Sequence, residues 1–70
     1  MTLVARLPGI LERGNKTTVM FKGGFNLFGV LQKDSMGYFI TKQHAEYKQV
    51  HYLELDHVVS IGEQFKEIRD

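Results

Sequence analysis

Val19-Met20-Phe21-Lys22-Gly23-Gly24-Phe25-Asn26-Leu27-Phe28-Gly29-Val30-Leu31 is the stretch that decides the fold. Its left arm, beginning at about Lys16, is rich in β-branched and aromatic residues and places Val19 and Phe21 on one face of a strand. Gly23-Gly24 then marks a hairpin turn, because both positions accept positive φ at no steric cost. Phe25 to Gln32 reads as the returning strand, with Phe25, Leu27 and Leu31 on its inner face. Gly29 falls on that same face without a side chain, which marks a bend or a bulge.

Upstream of the hairpin, Pro8 suits the first turn of a helix, where its pre-set φ fits and its missing N–H goes unneeded. The sequence therefore predicts a short helix over about residues 8–13, with Leu7, Ile10 and Leu11 as its apolar face. Gly14-Asn15 ends it, since both residues tolerate the left-handed conformation. Downstream, Asp34-Ser35-Met36-Gly37 is a turn, Tyr38 to Gln43 a third strand and His44 to Lys48 a polar connection. Gln49 to Leu55 forms a fourth strand, Asp56-His57 a tight turn, and Val58 to Ile61 a fifth strand closed by Gly62. Residues 63–70 form a charged tail in which Phe65 and Ile68 fit one helical turn. The expected architecture is mainly β: a short N-terminal helix, then a strongly bent, five-stranded antiparallel small barrel over about residues 16–62, closed or nearly closed.

Several strands are apolar on both faces. Phe28 and Val30 point away from Leu27 and Leu31, Val50 and Tyr52 away from His51, Leu53 and Leu55, and Val58-Val59-Ser60-Ile61 is apolar on both sides. A barrel of this size has one interior, so the surplus surface needs a second partner. Pairing of each fifth strand, about residues 58–61, with a neighbour's fourth, about residues 49–55, meets that need in a homo-oligomeric ring.

Composition narrows the function classes. Seventy residues make a single domain over 1–70 with no room for a deep substrate cavity beside a packed core, so neither an enzyme nor a small-molecule substrate is expected. The chain has no cysteine, which excludes disulfides and a cysteine zinc site. Nor do His44, His51 and His57 have a metal-like spacing, so no metal or other cofactor is expected. No apolar run reaches the roughly 20 residues of a membrane helix, and a cytoplasmic protein without a membrane partner is the expectation. The net charge is only +1. It hides a basic first half, with Arg6, Arg13, Lys16, Lys22 and Lys33 against Glu12, and an acidic second half. Segregation of those halves onto different faces would let one of them attract phosphates.

Val19-x-Phe21-Lys22-x-Gly24, followed by four residues and Gly29-x-Leu31, resembles the first signature of Sm and Sm-like proteins. Leu53 to Ile61 is similar to their second signature, closest to the bacterial Hfq branch, and the likeness covers about residues 7–62. It implies an Sm-like (SH3-type) barrel assembled into a ring that binds single-stranded RNA, or DNA in its place, in RNA processing or regulation. In that family an aromatic ring at the start of the third strand stacks a base, a place held by Tyr38. Base stacking of this kind contributes roughly 1–3 kcal/mol. The histidine of the second signature is matched by His57, beside the pore of such a ring. Asp56 and Leu55 stand where that branch has lysine and tyrosine, and Met20 stands where it has a first-strand tyrosine.

The candidate nucleic-acid site therefore comprises Tyr38 for stacking, His57 for a base or phosphate, and Arg13, Lys16, Lys22 and Lys33 for the backbone. Each residue has a plainer role open to it. Tyr38 also fits as a strand-start aromatic covering the barrel, His57 as a turn histidine, and the cations as a solvated surface. The alternative function is an assembly or adaptor module on the same small barrel, holding protein partners and no nucleic acid, which the acidic Asp56 favours.

Overall fold

The structure is a computed structural model that describes residues 3–64. A single turn of 3-10 helix at Val4–Arg6 runs into helix α1, Leu7–Arg13. Pro8 sits in its first turn, and the Gly14 N–H closes it on the Ile10 carbonyl at 3.1 Å. Leu7 and Ile10 form its buried face, so the helix lies over the sheet as a lid. The strands are β1 (Lys16–Phe21), β2 (Asn26–Asp34), β3 (Gly37–Gln43), β4 (Lys48–Tyr52) and β5 (Val58–Glu63). All neighbouring pairs are antiparallel, in the order β4-β3-β2-β1-β5.

Apart from Phe25, the decisive stretch folds as its residues dictate. Val19 and Phe21 are buried, and Gly23 and Gly24 take φ values of 90° and 87° in the turn. β2 is divided between two partners: residues 26–30 pair with β1, and residues 31–34 with β3. Gly29 stands at this crossing. A Cβ built there would lie 2.8 Å from the Ile40 Cγ2 and 3.4 Å from the Thr41 carbonyl oxygen, so the close approach of β3 leaves room only for glycine.

The core gathers Leu7 and Ile10 from α1, Val19 and Phe21 from β1, Leu27 and Leu31 from β2, Ile40 from β3, Leu53, and Ile61 from β5. Each such side chain contributes roughly 1.5–3 kcal/mol by leaving water. Thr17 is the buried polar residue among them, and its hydroxyl donates to the Asn15 carbonyl at 3.1 Å.

Four details correct the sequence-based expectation. The sheet does not close into a barrel: β4 and β5 lie at its two ends and do not pair with each other, so in place of the expected closed or nearly closed barrel there is an open five-stranded sheet. The fourth strand stops at Tyr52 rather than Leu55, because the Leu53 N–H turns back to the Tyr38 carbonyl and Leu55–His57 wind into a 3-10 turn. The fifth strand runs on to Glu63, with Gly62 paired to Thr18 instead of closing it. Phe25 is not inside; it belongs to the turn, where its carbonyl accepts the Phe21 N–H at 2.8 Å and its ring stays 55% exposed. The predicted helical turn at Phe65 and Ile68 falls outside the described residues. Among those residues, no helix is long and apolar enough to cross a membrane.

Candidate nucleic-acid interface

The six candidate residues are all on the surface or near it, but they fall into three separate places. Lys33 and Tyr38 face each other across the β2–β3 hairpin. The Lys33 ammonium lies 5.0 Å from the centroid of the Tyr38 ring, a cation–π distance. Tyr38 is partly buried against the core, so one side of its ring is committed to packing.

Lys22 and His57 form the second place. The Lys22 N–H donates to the His57 carbonyl at 2.8 Å, which ties the β1–β2 turn to the connection ahead of β5. The His57 ring is exposed, with its Nδ1 3.1 Å from a carboxylate oxygen of Glu54.

Arg13 and Lys16 make the third. Arg13 spends its guanidinium on Glu63, in a two-pronged contact of 2.7 and 2.6 Å that spans α1 and β5. Asn15 donates to the same carboxylate at 2.9 Å. The Arg13 hydrogen bond holds the Glu63 carboxyl below its ordinary range, with Asn15 and nearby charge adding to the effect against partial desolvation. Arg13 thus joins the basic half of the chain to the acidic half rather than offering a separate phosphate site. Lys16 is exposed at the start of β1.

A cleft of about 290 Å³ opens beside Lys22 and His57. Phe21, Phe25 and Leu27 form its apolar wall, and His51, Tyr52 and Glu54 approach from the β4 side. Phe21 and Phe25 are a tilted ring pair with centroids 5.8 Å apart. Sequence reasoning did not single out His51, although the signal is present. Alternation along β4 places it on the same face as Leu53, a polar side chain in an apolar row.

Tyr52 also stacks at a tilt on its register partner Phe39, 5.3 Å between centroids. Its hydroxyl donates to Asp34 at 2.5 Å. Asp34 also accepts the Met36 N–H at 2.8 Å, in a local turn that holds the β2–β3 hairpin. The Tyr52 hydrogen bond is the main cause that lowers the Asp34 pKa, and the same contact raises that of Tyr52. A depressed carboxylate stabilises the fold above its unfolded pKa, and that stabilisation is lost as pH falls through the folded value. A raised phenol contributes below its unfolded pKa and loses the contribution as pH rises through the folded value. The contact therefore holds between acid, where Asp34 protonates, and alkali, where Tyr52 ionises. In Tyr52→Phe the Asp34 titration followed by NMR is expected to move up toward the ordinary carboxylate range. An unchanged midpoint would deny the hydroxyl this role.

Both outer strands carry exposed apolar side chains. Val50 and Tyr52 of β4 are 49% and 40% exposed, and Val59 of β5 is 47% exposed. No protein-family model, curated protein or solved structure matches the chain.

Proposed function

We propose that this chain is the subunit of an Sm-like ring that binds single-stranded nucleic acid, RNA in preference to DNA. The observation that carries the proposal is the pair of outer strands. β4 and β5 are different strands at opposite ends of one sheet, and each exposes apolar side chains. Pairing β4 of one copy with β5 of the next is head-to-tail, and such contacts form a ring when the rotation closes. It also covers edges that otherwise invite uncontrolled association. Around the ring, the Lys33–Tyr38 contact and Lys22 beside His57 recur once per copy, offering stacking and phosphate attraction.

Light scattering together with fluorescence anisotropy on oligo-U and oligo-A at low salt tests both halves. The expected result is a defined oligomer that binds at micromolar protein or below. A stable monomer in dilute solution overturns the ring, and absence of binding overturns the nucleic-acid half.

One observation favours the protein-adaptor alternative: the exposed Asp56 and Glu54 flank the position of His57 with negative charge. Asp56→Lys separates the two. Tighter oligo-U binding is expected if nucleic acid approaches this edge, and no change is expected of an adaptor.

A further inference from the structure

The tip of the β3–β4 hairpin carries a pair of stacked rings on the surface. The His44 N–H donates to the Tyr47 carbonyl at 2.8 Å, which closes a two-residue turn, Ala45-Glu46. The two rings lie 4.4 Å apart between centroids and 18° from parallel. Both residues are exposed, Tyr47 at 56%, and neither belongs to the core. With one face of the Tyr47 ring on His44, the opposite face is the one left to solvent.

Glutamines from both strands fix this arrangement. The Gln43 Nε2 donates to the His44 carbonyl at 2.9 Å and to the Tyr47 carbonyl at 3.4 Å. The His44 Nε2 donates to the Gln49 Oε1 at 2.9 Å, a bond at the edge of the imidazole that sets its plane and leaves its faces free. Stacking across the turn by itself stabilises a hairpin, but that role needs only the two rings. The glutamine braces settle the orientation of the stack in advance, so a ligand binds there without having to order it.

Ligand classes can be weighed against that geometry. A preformed stack with an open end is extended by a third flat group, and an aliphatic chain gains nothing from the plane. A guanidinium is flat, but Lys42 and Lys48 flank the pair against Glu46 alone, and the surplus positive charge repels it. Alternation places Lys42 on the face that carries His44, Tyr47 and Gln49. The same charge balance favours a flat ring attached to an anion, which is the chemistry of a nucleobase on a phosphodiester backbone. Every base has a π-face, so a stack of this kind is indifferent to sequence.

We propose that the His44–Tyr47 pair is a base-stacking platform, with one base of a bound single strand lying on the free face of the Tyr47 ring. The platform deepens the strand-binding function proposed above and rests on it for the source of the base. Tyr38 stands near the start of β3 and His44 just past its end, roughly 20 Å along the strand. One base cannot touch both, so each copy offers a strand two separate stacking rings.

Anisotropy titrations of the full chain with oligo-A at low salt compare the wild type with Tyr47→Leu and Tyr47→Phe. Leucine keeps an apolar side chain and removes the plane, whereas phenylalanine keeps the plane and removes the hydroxyl. Tyr47→Leu is expected to weaken binding about tenfold, and Tyr47→Phe less than about twofold. Oligo-A bound equally well by Tyr47→Leu and the wild type overturns the platform and spares the strand-binding function. Equal losses in the two variants assign the contact to the hydroxyl and also overturn it. The chain has no tryptophan, so Tyr47→Trp supplies a single reporter and keeps the test decisive if Tyr47→Leu does not fold. Adenosine monophosphate is expected to quench that indole beyond its effect on free tryptophan. Quenching in a chain that ignores oligo-A keeps the platform and ends the strand-binding function. An indole left unquenched by both adenosine monophosphate and oligo-A overturns the platform.

Discussion

Gly29→Ala is expected to destabilise the chain by about 1–3 kcal/mol, and to cost less in a chain that already carries Ile40→Ala, where the strain of a side chain at φ 157° remains. The new Cβ would sit 2.8 Å from the Ile40 Cγ2, closer than non-bonded carbons approach, and Ile40 is wholly buried with nowhere to retreat. Ile40→Ala deletes that methyl group and on its own costs about 2–5 kcal/mol, through lost burial and the cavity left behind. The two changes therefore compensate in part, and a double-mutant cycle by urea denaturation should return a clear coupling. Strictly additive losses would mean that the close approach at Gly29 does not govern the packing of β2 on β3. The expected sizes are large for a chain of 70 residues, because small domains bury little and have little stability to lose.

The second large effect is expected in the salt dependence of oligonucleotide binding. Each phosphate neutralised on a single strand adds about −0.7 to the slope of log affinity against log salt. Lys16, Lys22 and Lys33 of one copy therefore account for a slope of no more than about −2. Arg13 adds nothing to that sum while it is held by Glu63. A ring offers the same lysines from several copies to one strand. A slope near −4 is what two copies' sets of these three lysines would give, and it corresponds to a loss of roughly 300-fold between about 50 and 200 mM salt. Anisotropy titrations across that range read the slope directly. Values no steeper than one copy allows would count against a shared strand, and a flat profile would remove phosphate contacts altogether.

Much of the fold was legible because its signals are local. Gly23-Gly24 announces a turn through backbone freedom, Pro8 a helix start, and the β-branched row at residues 17–21 a strand. Gly29 was legible as a special position because a strand gives up an inner-face side chain where its backbone bends or another strand comes close, and the close approach of β3 is what the structure shows there. The end of β4 was not. Leu53-Glu54-Leu55 continues the alternation of a strand, and what stops it is a main-chain hydrogen bond from the Leu53 N–H to the Tyr38 carbonyl, fifteen residues back in the chain. Phe25 was misplaced for a related reason: counting every second residue carries the strand period into the turn. Closure of the sheet depends on whether two strands at its far ends meet, and no residue pattern in either strand encodes that.

The candidate site was legible only in pieces. The pairing of Lys33 with Tyr38 follows once the turn at residues 34–37 is placed, because register across a short hairpin is nearly determined. The fate of Arg13 was hidden, since Glu63 lies fifty residues away and reaches it only once the fold brings the end of α1 beside the end of β5. The cleft was hidden for the same reason, being assembled from the β1–β2 turn, the end of β4 and the connection to β5. Such a site exists only at the level of topology.

The division of β2 between two partners also shapes how the molecule comes apart. The β1–β5 side and the β3–β4 side each depend on a different half of one continuous strand. Neither side holds a complete set of neighbours without it, so they are not independent folding units in the sense that separable hairpins are. Among the described residues each outer strand pairs with a single neighbour, so it can leave the sheet while β2 keeps both of its partners. If the chain assembles as proposed, a neighbouring copy that captures an outer strand stabilises a part of the sheet held by a single neighbouring strand.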